Sequence, residues 1–188
     1  MAYYIFDEVS PNRDAPYLDL PDEIDMIDSI MGKKPDFYEL PIQIPAKITA
    51  GEKIVYTDII NPGVPLFSNK MKEALEQFGI DNIDYYPVEL IDAETKEVLA
   101  EYWLAIVKSI VACLDTDKSQ FMESSSAGGR MVIMTFSIDQ SKTTGLDLFR
   151  FHNIPGLVII SEALKDKLST LEFKGVSFRN TSEYHREK

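Results

Sequence analysis

The sequence predicts an α+β fold: a mostly antiparallel central sheet, two short amphipathic helices and an irregular Pro-rich N-terminal region. Three observations carry this. Apolar runs of strand length recur along the chain. Two segments combine a serine cap with apolar residues at helical spacing. The two central strands are separated by one short polar connection, so the second returns beside the first, and strands with segregated helices define the α+β class. The 188 residues suit a single domain over 1–188: a Pro-rich part over 1–65, a core over 66–178 and a polar, frayed tail over 179–188.

Tyr3 to Phe6, aromatic and β-branched, starts the chain as a strand. Pro11, Pro16, Pro21 and Pro35 punctuate the next stretch, leaving room for a helical turn or two near Asp22 to Met31, with Ile24, Ile27 and Met31 on one apolar face. Glu39 to Ile44 alternates, but Pro41 and Pro45 confine it to a sheet edge or an irregular crossing. Lys53 to Tyr56 is a further short strand. Ser68 caps the first firm helix, Met71, Leu75 and Phe78 form its buried stripe, and Gly79 ends it. Tyr85 to Ile91 and Leu99 to Ile110 are the central strands, joined as a hairpin through the polar residues 92–97.

Residues 115–130 read as a loop ending in a Ser/Gly-rich stretch. Met131 to Ile138 is a third long strand; Leu148 to Phe151 and Leu157 to Ile160 are short ones. Ser161 caps the second helix, which buries Leu164 and Leu168, and Gly175 to Phe178 closes the fold. The two capped helices share Ser, Lys and Leu at equal offsets, which any capped amphipathic helix would show.

Thirty-one Asp and Glu against 19 Lys and Arg give a net charge of −12. Residues 1–117 carry −14 and residues 118–188 carry +2. This balance disfavours nucleic acid, whose affinity for proteins comes largely from Lys and Arg, and anionic membrane surfaces. It favours a cationic partner. No apolar run reaches the ~18 residues of a membrane span, and the start of the chain has no basic leader, so the expected location is the cytoplasm. A single cysteine excludes an internal disulfide and a Cys-rich zinc site.

Little in the chain points to chemistry. His152 and Cys113 could form a base–nucleophile pair, but Cys113 stands in an apolar run with no cationic neighbour. Asp115, Asp117 and Ser119 alternate as in a calcium loop, yet Gln120 and Ser126 occupy the positions that need Gly and Glu. No phosphate-binding glycine motif, nucleophile elbow or zinc helix is present. The expectation is no catalytic residue, no metal and no cofactor. Trp103, in a central strand, reads as core. Phe37, Tyr38, Tyr85 and Tyr86 lie beside acidic residues, a pairing that suits a protein with a basic site.

The order of motifs is familiar. The helix from Ser68 to Gly79 is followed by Tyr86-Pro87-Val88-Glu89-Leu90, then by Tyr102 to Val107 running into Cys113-Leu114-Asp115. Leu148-Phe149-Arg150, Val158 to Glu162 and Gly175 to Phe178 complete it. This succession, over about residues 66–178, resembles the Imm11 immunity proteins. The resemblance implies a bacterial, cytoplasmic, non-catalytic antidote that binds and neutralises a toxin delivered by neighbouring cells. It implies no catalytic residues; Glu89, Asp115, Phe149 and Arg150 are motif positions serving either fold or binding.

The expected partner is therefore a cognate protein toxin with a basic surface, a nuclease among the candidates, occluded by acidic contacts at Asp22, Glu23, Asp25, Asp28, Asp115 and Asp117. The alternative is a small enzyme or ligand-binding module in which His152 acts beside Arg150, the latter orienting an anionic substrate. The sequence sets no oligomeric state.

Overall fold

The computed structural model describes residues 2–9, 16–35, 39–47, 54–124 and 130–185. In chain order the elements are β1 (Tyr3–Glu8), β2 (Tyr17–Leu18), α1 (Met26–Ile30), β3 (Ile42–Lys47), β4 (Ile59–Ile60), β5 (Leu66–Phe67), α2 (Asn69–Gln77), β6 (Ile83–Asp92) and β7 (Val98–Val107). They continue with β8 (Ile110–Val111), β9 (Gln120–Ser124), β10 (Arg130–Thr135), β11 (Leu148–Phe151), β12 (Ile154–Ser161), α3 (Glu162–Ser169) and β13 (Val176–Asn180).

The class is mixed α+β, as expected, but the single central sheet is not formed. The described strands divide into three sheets, ordered β13-β1-β12-β11-β8, β2-β3-β6-β7-β5-β4 and β10-β9. Most pairs are antiparallel; β3 with β6 and β8 with β11 are parallel. The expected strand from Leu99 to Ile110 breaks at Lys108 and Ser109, where the chain leaves one large sheet for the other. The expected third long strand stops at Thr135. Phe136 then turns inward to stack on Phe151 at 4.5 Å, and Ile138 makes a lone bridge to Leu114.

Three apolar clusters hold these layers. The first lies between the two large sheets and takes the buried sides of both longer helices: Met71, Ala74 and Leu75 from α2, Leu164 and Leu168 from α3, with Phe6, Phe67, Ala105 and Val107. The second covers the opposite face of the six-stranded sheet through Ile44, Val88, Leu90, Tyr102, Leu104 and Ile24. The third covers the opposite face of the five-stranded sheet through Tyr3, Cys113, Phe136, Phe149 and Phe151. Hence the end of β7 is apolar at every position: Leu104 to Val107 are buried on alternating sides.

The caps behave as read. Ser68 Oγ accepts from the Met71 amide and donates to Asp58 Oδ1 at 2.6 Å. Ser161 Oγ accepts from the Leu164 amide. Gly79 takes φ +85° after α2. The β6–β7 hairpin closes as expected, with Asp92 Oδ1 accepting from the amides of Glu94 and Thr95.

Three expectations fail locally, while the edge reading of Glu39 to Ile44 holds over Ile42 to Ile44, which pair with β6 alone; β2 pairs only at Ala46 and Lys47. The loop expected over 115–130 contains β9. Ile54 to Tyr56 form no strand, and Lys53 lies outside the described residues, as do Phe37, Tyr38 and the Ser/Gly-rich stretch from 125 to 129. The helical turn or two expected near Asp22 to Met31 forms as α1, a third short helix beside the two amphipathic ones. The tail is not frayed at its start: Arg179 and Asn180 extend β13, Thr181 is buried, and the Tyr184 ring packs on Phe136 at 5.1 Å. Among the described residues no helix is long and apolar enough to cross a membrane.

Candidate functional site

The first acidic group sits on α1 and the turn before it. Asp22, Glu23, Asp25 and Asp28 are all exposed. Asp25 caps the helix, its Oδ1 accepting from the Asp28 amide at 2.9 Å. Asp28 pairs with Lys33 at 2.7 Å. Gly32, at φ +74°, ends the helix where a Cβ would lie 3.1 Å from the Val107 and Lys108 carbonyls, so α1 rests closely on the end of β7.

The apolar face of this segment is turned the wrong way for a core helix. Ile24 is buried as expected, but Ile27 is 70% exposed, Met26 50% and Met31 43%. Ser29 is the residue α1 buries. Ile27 therefore stands largely in solvent among four carboxylates, with Met31 partly exposed beside it and Met26 half-exposed against Gly63. Exposed apolar side chains rimmed by polar groups are a common feature of interaction surfaces.

Asp115 and Asp117 lie elsewhere, in the turn between the Leu114–Ile138 bridge and β9, and no hydrogen bond or ion pair among the described residues links them to the α1 group. Asp115 Oδ1 accepts from the Asp117 and Lys118 amides, and Lys118 Nζ reaches Oδ2 at 2.8 Å. Hydrogen bonding to Lys118 holds the Asp115 carboxyl below its ordinary range. This is a self-satisfied turn. Among the described residues no group of His, Cys, Asp and Glu is placed to hold a metal ion.

The residues of the alternative reading are not brought together. His152 is exposed in a turn, its amide bonded to the Val111 carbonyl. Arg150 is 1% exposed. Its Nη1 donates to the Pro155 carbonyl at 2.9 Å, and Nε and Nη2 find no partner among the described residues. Arg150 borders a void of about 10 Å³ between the large sheets, lined by Asp7, Asn61 and Gly156 among others, room for roughly one water and no substrate. Burial pushes the guanidinium down to about 10. Cys113 also bonds toward the Val111 carbonyl, but burial pushes its thiol up to about 11, so no thiolate forms at neutral pH.

One surface escaped the sequence reading. On the sheet side opposite Val88, Leu90, Tyr102 and Leu104, the side chains of Gln43, Glu89 and Glu101 lie in a row across β3, β6 and β7, with Pro87 and Trp103 in the next row. α2 covers this side over Ala105 and Val107 and leaves the rest open. Trp103 is only half-buried, not core, and its Nε1 donates to Asn69 Oδ1 at 3.3 Å. Pro41, Asn69, Pro87, Glu89, Glu101 and Trp103 line a cleft of about 300 Å³. Pro41 also borders a second cleft, of about 520 Å³, with Pro21, Glu23 and Glu39. The signal was present in the alternation of Glu101 and Trp103 against Tyr102 and Leu104: a strand buried on both sides carries no glutamate in mid-run.

Of the four motif positions, the structure separates two from the rest. Phe149 and Arg150 are buried in the five-stranded sheet. Asp115 organises a turn, and Glu89 lines an open cleft.

What the described residues offer is open, acidic, partly apolar surface, the equipment of a protein that binds another protein. The chain belongs to the Imm11 immunity protein family, whose model matches residues 12–183. Membership implies an immunity protein that neutralises a cognate toxin, in a family that is generally non-catalytic. Among curated proteins none matches the chain.

Proposed function

We propose that the chain neutralises its toxin by occlusion, as an acidic plug seated through α1. Met26, Ile27 and Met31 supply the apolar centre of the contact, and Asp22, Glu23, Asp25 and Asp28 its charged rim. The observation that carries this reading is the outward-turned apolar face of α1, since desolvated apolar side chains supply the energy of a protein contact and surrounding charges set its rate and partner. Asp115, held by Lys118, and Asp117, whose amide bonds to Asp115, belong to a separate turn and are left outside this contact. The partner that fits is a toxin with a basic active cleft, as nucleases have, met in the cytoplasm where such a toxin acts.

Co-expression with the toxin encoded beside this gene tests the reading. The wild-type chain restores growth. Ile27→Asp with Met31→Asp removes rescue and binding while shifting the thermal midpoint by no more than about 2–4 °C, because Ile27 is mostly exposed and Met31 partly so. Asp22→Asn with Glu23→Gln slows association and flattens its salt dependence. Undiminished rescue by the α1 variant overturns the proposed contact; absence of rescue by the wild-type chain overturns the plug.

A further inference from the structure

We infer that the cleft between Pro41, Pro87 and Trp103 receives an arginine side chain of the toxin; this rests on the neutralising role proposed above. Glu89 and Glu101 face each other directly across β6 and β7. Like charges at that position destabilise a sheet. Among the described residues no cation pairs with either carboxylate; Glu89 Oε2 receives only a long hydrogen bond from Gln43, at 3.4 Å. A sheet that keeps this repulsion in the free state gains from a cation brought to it.

The aromatic wall supports the same occupant. Lys72 Nζ already lies over the Trp103 ring at 4.8 Å, so the ring has accepted one cation, but that lysine is held by Glu76 at 2.9 Å and does not line the cleft. A guanidinium fits better than an ammonium: it is planar, stacks on an indole and can divide its N–H groups between two carboxylates. The volume of about 300 Å³ lies at the small end of ligand sites and suits one long side chain. Through Pro41 the cleft adjoins the one bearing Glu23, so a single basic partner can span this side and the turn before α1.

Trp103 is the chain's single tryptophan, so its indole N–H gives one reporter resonance. The experiment titrates the full chain with a short peptide carrying two arginines and, separately, with the same peptide carrying neutral citrulline. The arginine peptide should move the indole resonance saturably, and citrulline should not. Glu89→Gln with Glu101→Gln should weaken the response about fivefold or more while raising the thermal midpoint, the opposite of what a structural role would give. Equal shifts with both peptides, an unmoved indole, or a double variant that titrates like wild type would each overturn the cleft. Those results leave the α1 contact standing, because rescue by the wild-type chain is read separately; a cleft variant that binds no arginine yet rescues fully shows that the toxin does not use it.

Discussion

The Tyr102 hydroxyl donates to the Thr57 carbonyl at 2.6 Å, both groups buried, and so ties the middle of β7 to the segment before β4. Burial raises the tyrosine well above its ordinary range, so it remains a donor at any physiological pH. Thr57 Oγ1 in turn donates to the Ile59 carbonyl at 2.7 Å. Tyr102→Phe strands a buried carbonyl and should destabilise the protein by about 1–3 kcal/mol, measured by urea unfolding. Gly175→Ala attacks the same point from outside: at φ +69° its Cβ would fall 2.5 Å from Thr57, and it should be at least as damaging.

Arg150 is a buried guanidinium with no carboxylate partner among the described residues, but its Nη1 holds the Pro155 carbonyl. Arg150→Met removes the unpartnered charge and leaves that carbonyl unbonded, and should cost no more than about 1–3 kcal/mol, whereas Arg150→Ala also opens a cavity and should lose ~2–5 kcal/mol. Denaturation curves of both variants decide it. A methionine variant as weak as the alanine one would mean the guanidinium holds a group in the fold that apolar volume cannot replace.

Cys113 should be chemically silent. Its side chain is fully buried and its thiol titrates near 11. In the native protein at pH 7.5 a thiol reagent should label it no faster than the chain unfolds, with complete labelling in denaturant. Rapid native labelling would contradict the packing around it.

Asp139 sets part of the acid limit. Hydrogen bonds from Ser141 first, then Lys142, pull its carboxyl from 3.8 down to about 2. A depressed carboxylate contributes stability that is full above its unfolded value and fades as pH falls through the folded one. Its share is therefore lost between about pH 4 and pH 2. Asp139→Asn should flatten the fall of the thermal midpoint over that window and leave its slope unchanged above pH 5.

The elements that were legible in the sequence are those fixed by local chemistry. Ser68 and Ser161 cap helices because a hydroxyl answers a free amide three residues on, and Asp92 closes its hairpin the same way. The partition into sheets was not legible, since it depends on pairings such as Tyr3 with Ser161 and Ile42 with Val88 that no local pattern encodes. Nor does an apolar run announce that it changes sheets at Lys108 and Ser109. In the candidate site, the periodicity of Ile24, Ile27 and Met31 was real, but periodicity does not say which side meets water. Ile24 went inward and the other two outward. The cleft at Trp103 was hidden for the same reason: its acidic pair comes from two strands, and only their register makes Glu89 and Glu101 neighbours.

β1 lies between β12 and β13. Until residues 154–180 have left the ribosome, Tyr3 to Glu8 have no strand to pair with, and pairings that span nearly the whole chain form slowly. A copy cut short before residue 180 therefore lacks the complete five-stranded sheet, and the packing that sheet supports can form only behind the last of its strands to emerge.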